Sequence, residues 1–142
     1  MKDNSKYAAG NLELQSIVAE FLGEIEEFLG DECFEELEVG EIAEELVKIT
    51  PMLATILSKW VPEIVYSLYF RRMSFNDLKR ALPISSRVLS DKLKALEEKG
   101  IVSRVVEGSR PPRVYYELTD FGKKIALSLI PLIMSVKNLT VV

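Results

Sequence analysis

The chain has 142 residues, 48% of them apolar and 28% charged, with a net charge of −4. That length suits one compact domain, or a small domain plus an extension. With one cysteine, Cys33, and no histidine, it excludes an intramolecular disulfide, a cysteine metal cluster and histidine-based catalysis.

The charge is unevenly spread. Residues 1–58 carry three Lys and fourteen Asp/Glu, a net of −11, whereas residues 59–142 carry fifteen Lys/Arg and eight Asp/Glu, a net of +7. Nucleic-acid binding follows the local patch and not the total, so an acidic isoelectric point does not argue against it. A mean hydropathy of +0.12 is high for a soluble monomer and points to apolar surface covered by a partner. The start is polar, with no signal-peptide core. The longest apolar run, residues 125–136, is too short to span a bilayer and contains Pro131. The expected location is the cytoplasm, with no membrane partner. Few Asn and Gln beside many Ile, Val, Lys and Glu is a bias in the direction of thermophile proteins.

Residues 1–10 read as a loose polar tail. From 12 to 29 the residues Leu14, Ile17, Val18, Phe21, Ile25, Phe28 and Leu29 recur at three- and four-residue steps, predicting an amphipathic helix. Gly30 and Asp31 mark a stop and a start. A second acidic helix is expected over 34–49, with Leu37, Ile42, Leu46 and Ile49 inward, and Thr50-Pro51 ending or kinking it. Pro62 suits the first turn of a helix to about residue 72, with Ile64, Val65, Leu68 and Tyr69 inward. Ser74 with Asp77 resembles a capping box for a helix over 75–82 that buries Phe75, Leu78 and Leu82. Pro83 breaks it. Ser85 caps the next helix, to Lys99, whose inward residues are Val88, Leu89, Leu93 and Leu96. Gly100 ends it. Strands are expected over 101–106 and 114–118. Thr119 or Asp120 caps a long apolar last helix, bent or interrupted at Pro131.

Helix, tight turn, basic helix and hairpin, in that order, are the layout of a winged helix-turn-helix. The expected fold is mainly α with a small β-hairpin: an acidic helical N-terminal extension (1–58), a winged helix-turn-helix domain (59–122) and a C-terminal apolar helix (123–142), the two ends serving dimerisation.

In such a fold the second helix of the pair enters the major groove. Its N-terminal residues Ser85, Ser86, Arg87 and Ser90 are the candidates to meet DNA, together with Lys92 and Lys94 on phosphates. The Arg87 fork matches O6 and N7 of a guanine, and Asp91 on the same face suits only a cytosine amino group. The hairpin tip holds Arg110 and Arg113 beside Gly108, Pro111 and Pro112, a stiff basic point suited to a minor groove. Arg71 and Arg72 are placed either to touch phosphates or to stabilise the preceding helix C-terminus.

At these residues the chain resembles the HxlR family of winged-helix regulators. The segments that carry the resemblance are FNDLKRALPIS, VLSDKLKALEEKGIVSR and PPRVYYELTDFGKK, with Lys59-Trp60 upstream. The resemblance implies a homodimer on a pseudo-palindromic operator, with helices from both chain ends at the dimer interface. It maps the recognition helix to 85–99 and the wing to 101–118. Three features depart from the family pattern. The turn reads LPIS where LPGIS is usual. Val47 and its neighbours stand where many members carry a sensing cysteine. The wing reads Val114-Tyr115-Tyr116 where VEY is common.

The expected function is therefore a sequence-specific regulator of double-stranded DNA, a repressor, acting as a homodimer. The alternative is a winged helix used for protein contact without DNA. The acidic extension either extends the dimer interface or offers a regulatory surface to a basic protein partner. The C-terminal helix, with Ile125, Leu129, Leu132, Ile133 and Val136, needs a partner, and a second copy is the simplest. No enzyme is expected: there is no Gly-rich phosphate loop, and paired glutamates such as Glu26-Glu27 point apart on a helix. No cofactor is expected.

Overall fold

The computed structural model describes the backbone of residues 4–30 and 39–140, and side chains within 10–30 and 40–137. Cys33, with Phe34 and Leu37 of the expected second helix, lies outside the described residues. The element order is α1 (Asn4–Gly30), α2 (Val39–Ile56), α3 (Val61–Phe70), α4 (Phe75–Ala81), α5 (Ser86–Glu98), β1 (Val102–Glu107), β2 (Arg113–Leu118) and α6 (Asp120–Thr140). The fold is mainly helical with one antiparallel hairpin, a winged helix-turn-helix. By contacts the chain divides into two compact units, Met1–Glu45 with Ile130–Val142, and Leu46–Leu129. The division of the fold follows the division of charge: the first unit carries three Lys and fourteen Asp/Glu, the second fifteen Lys/Arg and eight Asp/Glu.

In the first unit, α1 starts at Asn4, so most of the expected loose tail is helical. Ala8 and Ala9 are strong helix formers, and a polar helical turn leaves no apolar period to read. Val18 is buried, while Leu12, Ile17, Phe21 and Ile25 are 40–68% exposed. The same holds for Ile42 of α2 in this unit, and for Leu46 and Ile49 of α2 in the second, expected inward and found 47–50% exposed. A helical period identifies an apolar face; it does not supply the cover. Pro51 does not end α2, which continues to Ile56. Pro51 leaves the Val47 carbonyl without its usual helical donor, and the Thr50 hydroxyl beside it donates to the Leu46 carbonyl at 2.8 Å.

The second unit holds the core of the winged domain. Pro62 sits in the first turn of α3, where a missing N–H costs nothing. Val61, Ile64, Val65 and Leu68 are buried at three- and four-residue steps. Tyr69, expected inward, is 41% exposed, and both it and Tyr66 meet Phe70 edge-on at 5.5 and 5.2 Å. One residue past Leu68 is one hundred degrees around the helix, off the buried stripe.

The capping box is complete. The Ser74 hydroxyl accepts from the Asp77 N–H at 3.1 Å, and the Asp77 carboxylate accepts from the Ser74 N–H at 3.0 Å. Leu78 is fully buried, whereas Phe75 and Leu82 are only half-buried. Leu82 is the C-cap and not a helical residue. On α5, Leu89, Leu93 and Leu96 are buried, while Val88, expected inward, is exposed.

The end of α5 is a full Schellman motif. Gly100 has φ +74°, its N–H donates to the Glu97 carbonyl at 3.1 Å, and the Ile101 N–H donates to Leu96 at 2.9 Å. β1 then pairs with β2 from Val102↔Leu118 to Glu107↔Arg113, and Met73 adds a bridge to Tyr116. Thr119, not Asp120, caps α6: its Oγ1 accepts from the Gly122 N–H at 3.0 Å. α6 runs through Pro131 without interruption. Among the described residues no polar side chain is buried, and no helix is long and apolar enough to cross a membrane.

Gly122 lies against the wing's root. A Cβ there would sit 2.1 Å from the Ile101 carbonyl oxygen, backbone that cannot swing away. Gly122→Ala should destabilise the fold by about 1–3 kcal/mol in urea unfolding. Gly23→Ala, with nothing within 4 Å, should be neutral or stabilise by up to about 1 kcal/mol. Equal effects of the two would mean that the close approach is not there.

The Asp77 carboxyl is held below the ordinary aspartate range, first by the Ser74 N–H, then by the Ser74 hydroxyl and Arg80. A depressed folded-state value adds stability above the unfolded value that is lost as pH falls through the folded one. Wild type should therefore exceed Asp77→Asn in urea midpoint at neutral pH, and the two should converge in acid. A constant gap down to acid pH would show that the carboxylate charge plays no part in the cap.

Candidate nucleic-acid interface

The turn between α4 and α5 is short and tightly tied. The Leu82 N–H closes α4 onto the Leu78 carbonyl at 2.9 Å. Pro83 then allows the Ile84 N–H to fold back onto the Leu82 carbonyl at 2.8 Å, the bond pattern of a γ-turn. The Lys79 ammonium reaches across from α4 and donates to the Ile84 carbonyl at 2.8 Å, while the Ile84 side chain is buried. The turn that lacks a glycine is thus held by a side chain from the preceding helix. Its last residue leads into Ser85, whose hydroxyl accepts the Val88 N–H at 3.2 Å and starts α5.

Leu89, Leu93 and Leu96 fix which way α5 faces. At about one hundred degrees per residue, Arg87, Asp91 and Lys94 fall opposite that stripe, with Ser90 beside them. Ser85, Ser86, Arg87, Ser90, Asp91 and Lys94 are all exposed. Arg87 and Lys94 are seven residues apart and stand two turns apart on one line. Lys92 differs. It lies on the flank of the leucine stripe, is half-buried, and its ammonium donates to the Ser58 hydroxyl at 3.2 Å. It anchors α5 from behind.

The hairpin tip, residues 108–112, is exposed, as are Arg110 within it and Arg113 at the first pair of β2. Arg113 faces Glu107 across the ladder and adds to the field that lowers the Glu107 carboxyl. Arg87, Lys94 and Arg110 engage in no ion pair among the described residues. Arg71 approaches Asp77 at 3.9 Å. Arg72 is engaged within the fold. Its two terminal nitrogens pair with the two oxygens of Glu107, and the guanidinium lies 4.3 Å from the centre of the Tyr115 ring. The hydrogen bond from Arg72 is the largest cause holding the Glu107 carboxyl below its ordinary range. Glu107 is 35 positions away, and no local pattern in the chain announces that pairing.

Chemically this is a surface of fixed cations and hydroxyls, suited to phosphates and base edges. Among the described residues no group of three His, Cys, Asp or Glu side chains could hold a metal ion.

Known proteins match this region. A model of the HxlR-like helix-turn-helix family matches residues 55–140. The HTH-type transcriptional regulator YvaP of Bacillus subtilis is 48% identical over 73 residues, covering 50% of this chain and 68% of that protein. The crystal structure of a regulator assigned to the MarR family, from Enterococcus faecalis V583, is similar at a TM-score of 0.60 with 29% identity, covering 75% of this chain and 92% of that one. The redox regulator HypR in its reduced form is similar at a TM-score of 0.53 with 34% identity, covering 64% of this chain and 87% of that one. The chain belongs to the HxlR-like helix-turn-helix family of transcriptional regulators.

Proposed function

We propose that the chain is a sequence-specific regulator of double-stranded DNA, a repressor, acting as a homodimer. The observation that carries this reading is the set of exposed cations on the two elements a winged helix presents to DNA: Arg87 and Lys94 on the outer line of α5, Arg110 and Arg113 at the wing. The unit that holds them carries fifteen Lys/Arg and eight Asp/Glu. α5 lies in the major groove, with Arg87 on a guanine edge and Ser85, Ser86 and Ser90 on phosphates or bases near the helix N-terminus. Lys94 contacts a phosphate. Lys92 is bonded to Ser58 and serves the interface by fixing α5. Arg110 and Arg113 carry the wing to the minor groove. Occupying an operator excludes other proteins from it, which is repression.

Residues 1–58 and 123–142 provide dimerisation surfaces flanking the winged domain at 59–122. In support, Leu12, Ile17, Phe21, Leu46, Ile49 and Leu132 are each 47–68% exposed, a load of apolar surface that a second copy would cover.

Binding of the full chain to random-sequence duplex, by fluorescence anisotropy across a salt series, tests the reading. The affinity should fall linearly with salt in log–log form, with a slope of several phosphates. No binding at low salt would overturn it in favour of a winged helix used for protein contact.

Once an operator is known, Arg87→Ala should cost about 1–3 kcal/mol of specific binding and relax selectivity at one base pair. Equal losses on all sequences would mean that Arg87 touches only phosphate. Arg110→Ala should weaken binding to every sequence alike and reduce the salt slope by about 1. An unchanged slope would remove the wing tip from the interface.

A further inference from the structure

We propose that Arg72 is a positioning residue for the wing: its guanidinium, forked onto Glu107 and laid over Tyr115, straps the far end of the hairpin to the segment between α3 and α4. This assignment rests on the wing's meeting DNA, as proposed above, for its functional part only.

The geometry supports it at three points. First, Arg72 immediately precedes Met73, whose N–H and carbonyl pair with the Tyr116 carbonyl and N–H at 3.0 and 2.8 Å. That double bond holds β2 by the backbone at Tyr116. Second, Glu107 is the last residue of β1 and sits in the last ladder pair, opposite Arg113. The strap thus reaches past the backbone bridge to the base of the tip that carries Arg110. Third, Tyr115 pairs with Val105, so Tyr115 and Glu107 project from the same face of the two-stranded ribbon. One planar cation can therefore stack on the ring and fork onto the carboxylate at once.

An isolated exposed ion pair would do little, since both partners are near half exposed and water competes. Here three contacts converge on one rigid plane. A guanidinium fits that arrangement, and an ammonium on a flexible stem does not. A two-stranded ribbon twists freely unless it is held elsewhere. The wing is also a poor place for a bare carboxylate. Glu107 stands next to the tip, where its charge opposes an approaching phosphate, and pairing with Arg72 cancels most of that.

The expected effect of losing the Glu107 charge is opposite in sign to simple electrostatics. Removing the negative charge of Glu107 should by itself favour DNA. If the strap positions the wing, Glu107→Gln should instead weaken binding to random duplex, roughly three- to tenfold, and Arg72→Ala should do the same. Both should change the salt slope alike, because neither group itself touches a phosphate and any loss comes through the cations of the wing. In the free full-length chain, amide exchange over residues 102–118 should quicken in both variants, and this readout needs no DNA. Tighter binding by Glu107→Gln would overturn the proposal. So would a slope lowered in Arg72→Ala but not in Glu107→Gln, which would make Arg72 a phosphate contact. Unchanged exchange in both variants would overturn it as well. If the wild-type chain binds no DNA, the proposed function fails, and the exchange rates alone decide whether the strap holds the wing.

Discussion

The main chain of Ile101 is where the recognition helix, the wing and the last helix are joined. Its N–H closes α5 by bonding the Leu96 carbonyl, and its carbonyl accepts the Thr119 N–H, while the Thr119 hydroxyl donates to the adjoining Gly100 carbonyl at 2.6 Å. Its side chain is fully buried, and its carbonyl is the atom that Gly122 must avoid. The main chain of one residue therefore ends α5, leads into β1 and seats the first turn of α6. The orientation of α5 relative to the hairpin follows from this junction, because Gly100 alone separates the C-cap Lys99 from Ile101. A side chain at Gly100 would pay the cost of φ +74°, and one at Gly122 would push the junction open. The surface proposed to meet DNA is thus set from behind, by backbone contacts at the Ile101 junction.

Two sets of cations in the winged unit differ in their physics. Lys79, Lys92 and Arg72 are turned inward on the fold: to the Ile84 carbonyl, the Ser58 hydroxyl, and the Glu107 carboxylate with the Tyr115 ring. Each bridges an element to a segment distant in sequence or across a turn, so each fixes geometry. Arg87, Lys94 and Arg110 are exposed and unpaired among the described residues. A binding surface needs both kinds. Cations held by internal partners would be poor at releasing counterions, and a set of free cations on a loosely held frame would lose affinity to ordering entropy.

The end signals of the winged unit were legible because they are local. Ser74 with Asp77, Ser85, Gly100 and Thr119 each act over three or four residues, within reach of a single pattern. Arg87, Ser90 and Lys94 could be assigned to the outer face of α5 because the leucines opposite them are unambiguous. Lys92, expected on a phosphate, is bonded within the fold to Ser58, for a reason the same leucines contain. It sits three residues after Leu89 and four before Leu96, on the edge of the buried stripe, where a long side chain finds a partner within the fold. Val88 and Tyr69 fail similarly, each one step from a truly buried neighbour. The start of α1 carries no apolar period that would mark it in the sequence. Ile42, Leu46 and Ile49 share an apolar face by period, but period reveals a face and not its cover. The Arg72–Glu107 pair has no signature in one sequence at all. The departure at Val114-Tyr115-Tyr116 reads as a carboxylate lost from the wing, and only the fold shows Glu107 supplying one to Arg72, with the Tyr115 ring beneath.

The separation of charge between the units gives salt two opposite effects on the proposed regulator. The winged unit, with its excess of Lys and Arg, is attracted to phosphates, and added salt weakens that attraction. The other unit, with fourteen acidic residues against three lysines, repels a second copy of itself, and added salt relaxes that repulsion. Association through its exposed apolar residues depends little on salt, since burial of apolar surface is not a charge effect. Low salt therefore favours the protein–DNA contact and opposes the protein–protein contact, and high salt does the reverse. For a dimer reading two half-sites the two are coupled: a monomer engages one half-site and forgoes the avidity of the pair. A salt slope measured at low protein concentration thus combines phosphate release with a dimerisation term of opposite sign, and the phosphate count follows from it only where the dimer is saturated.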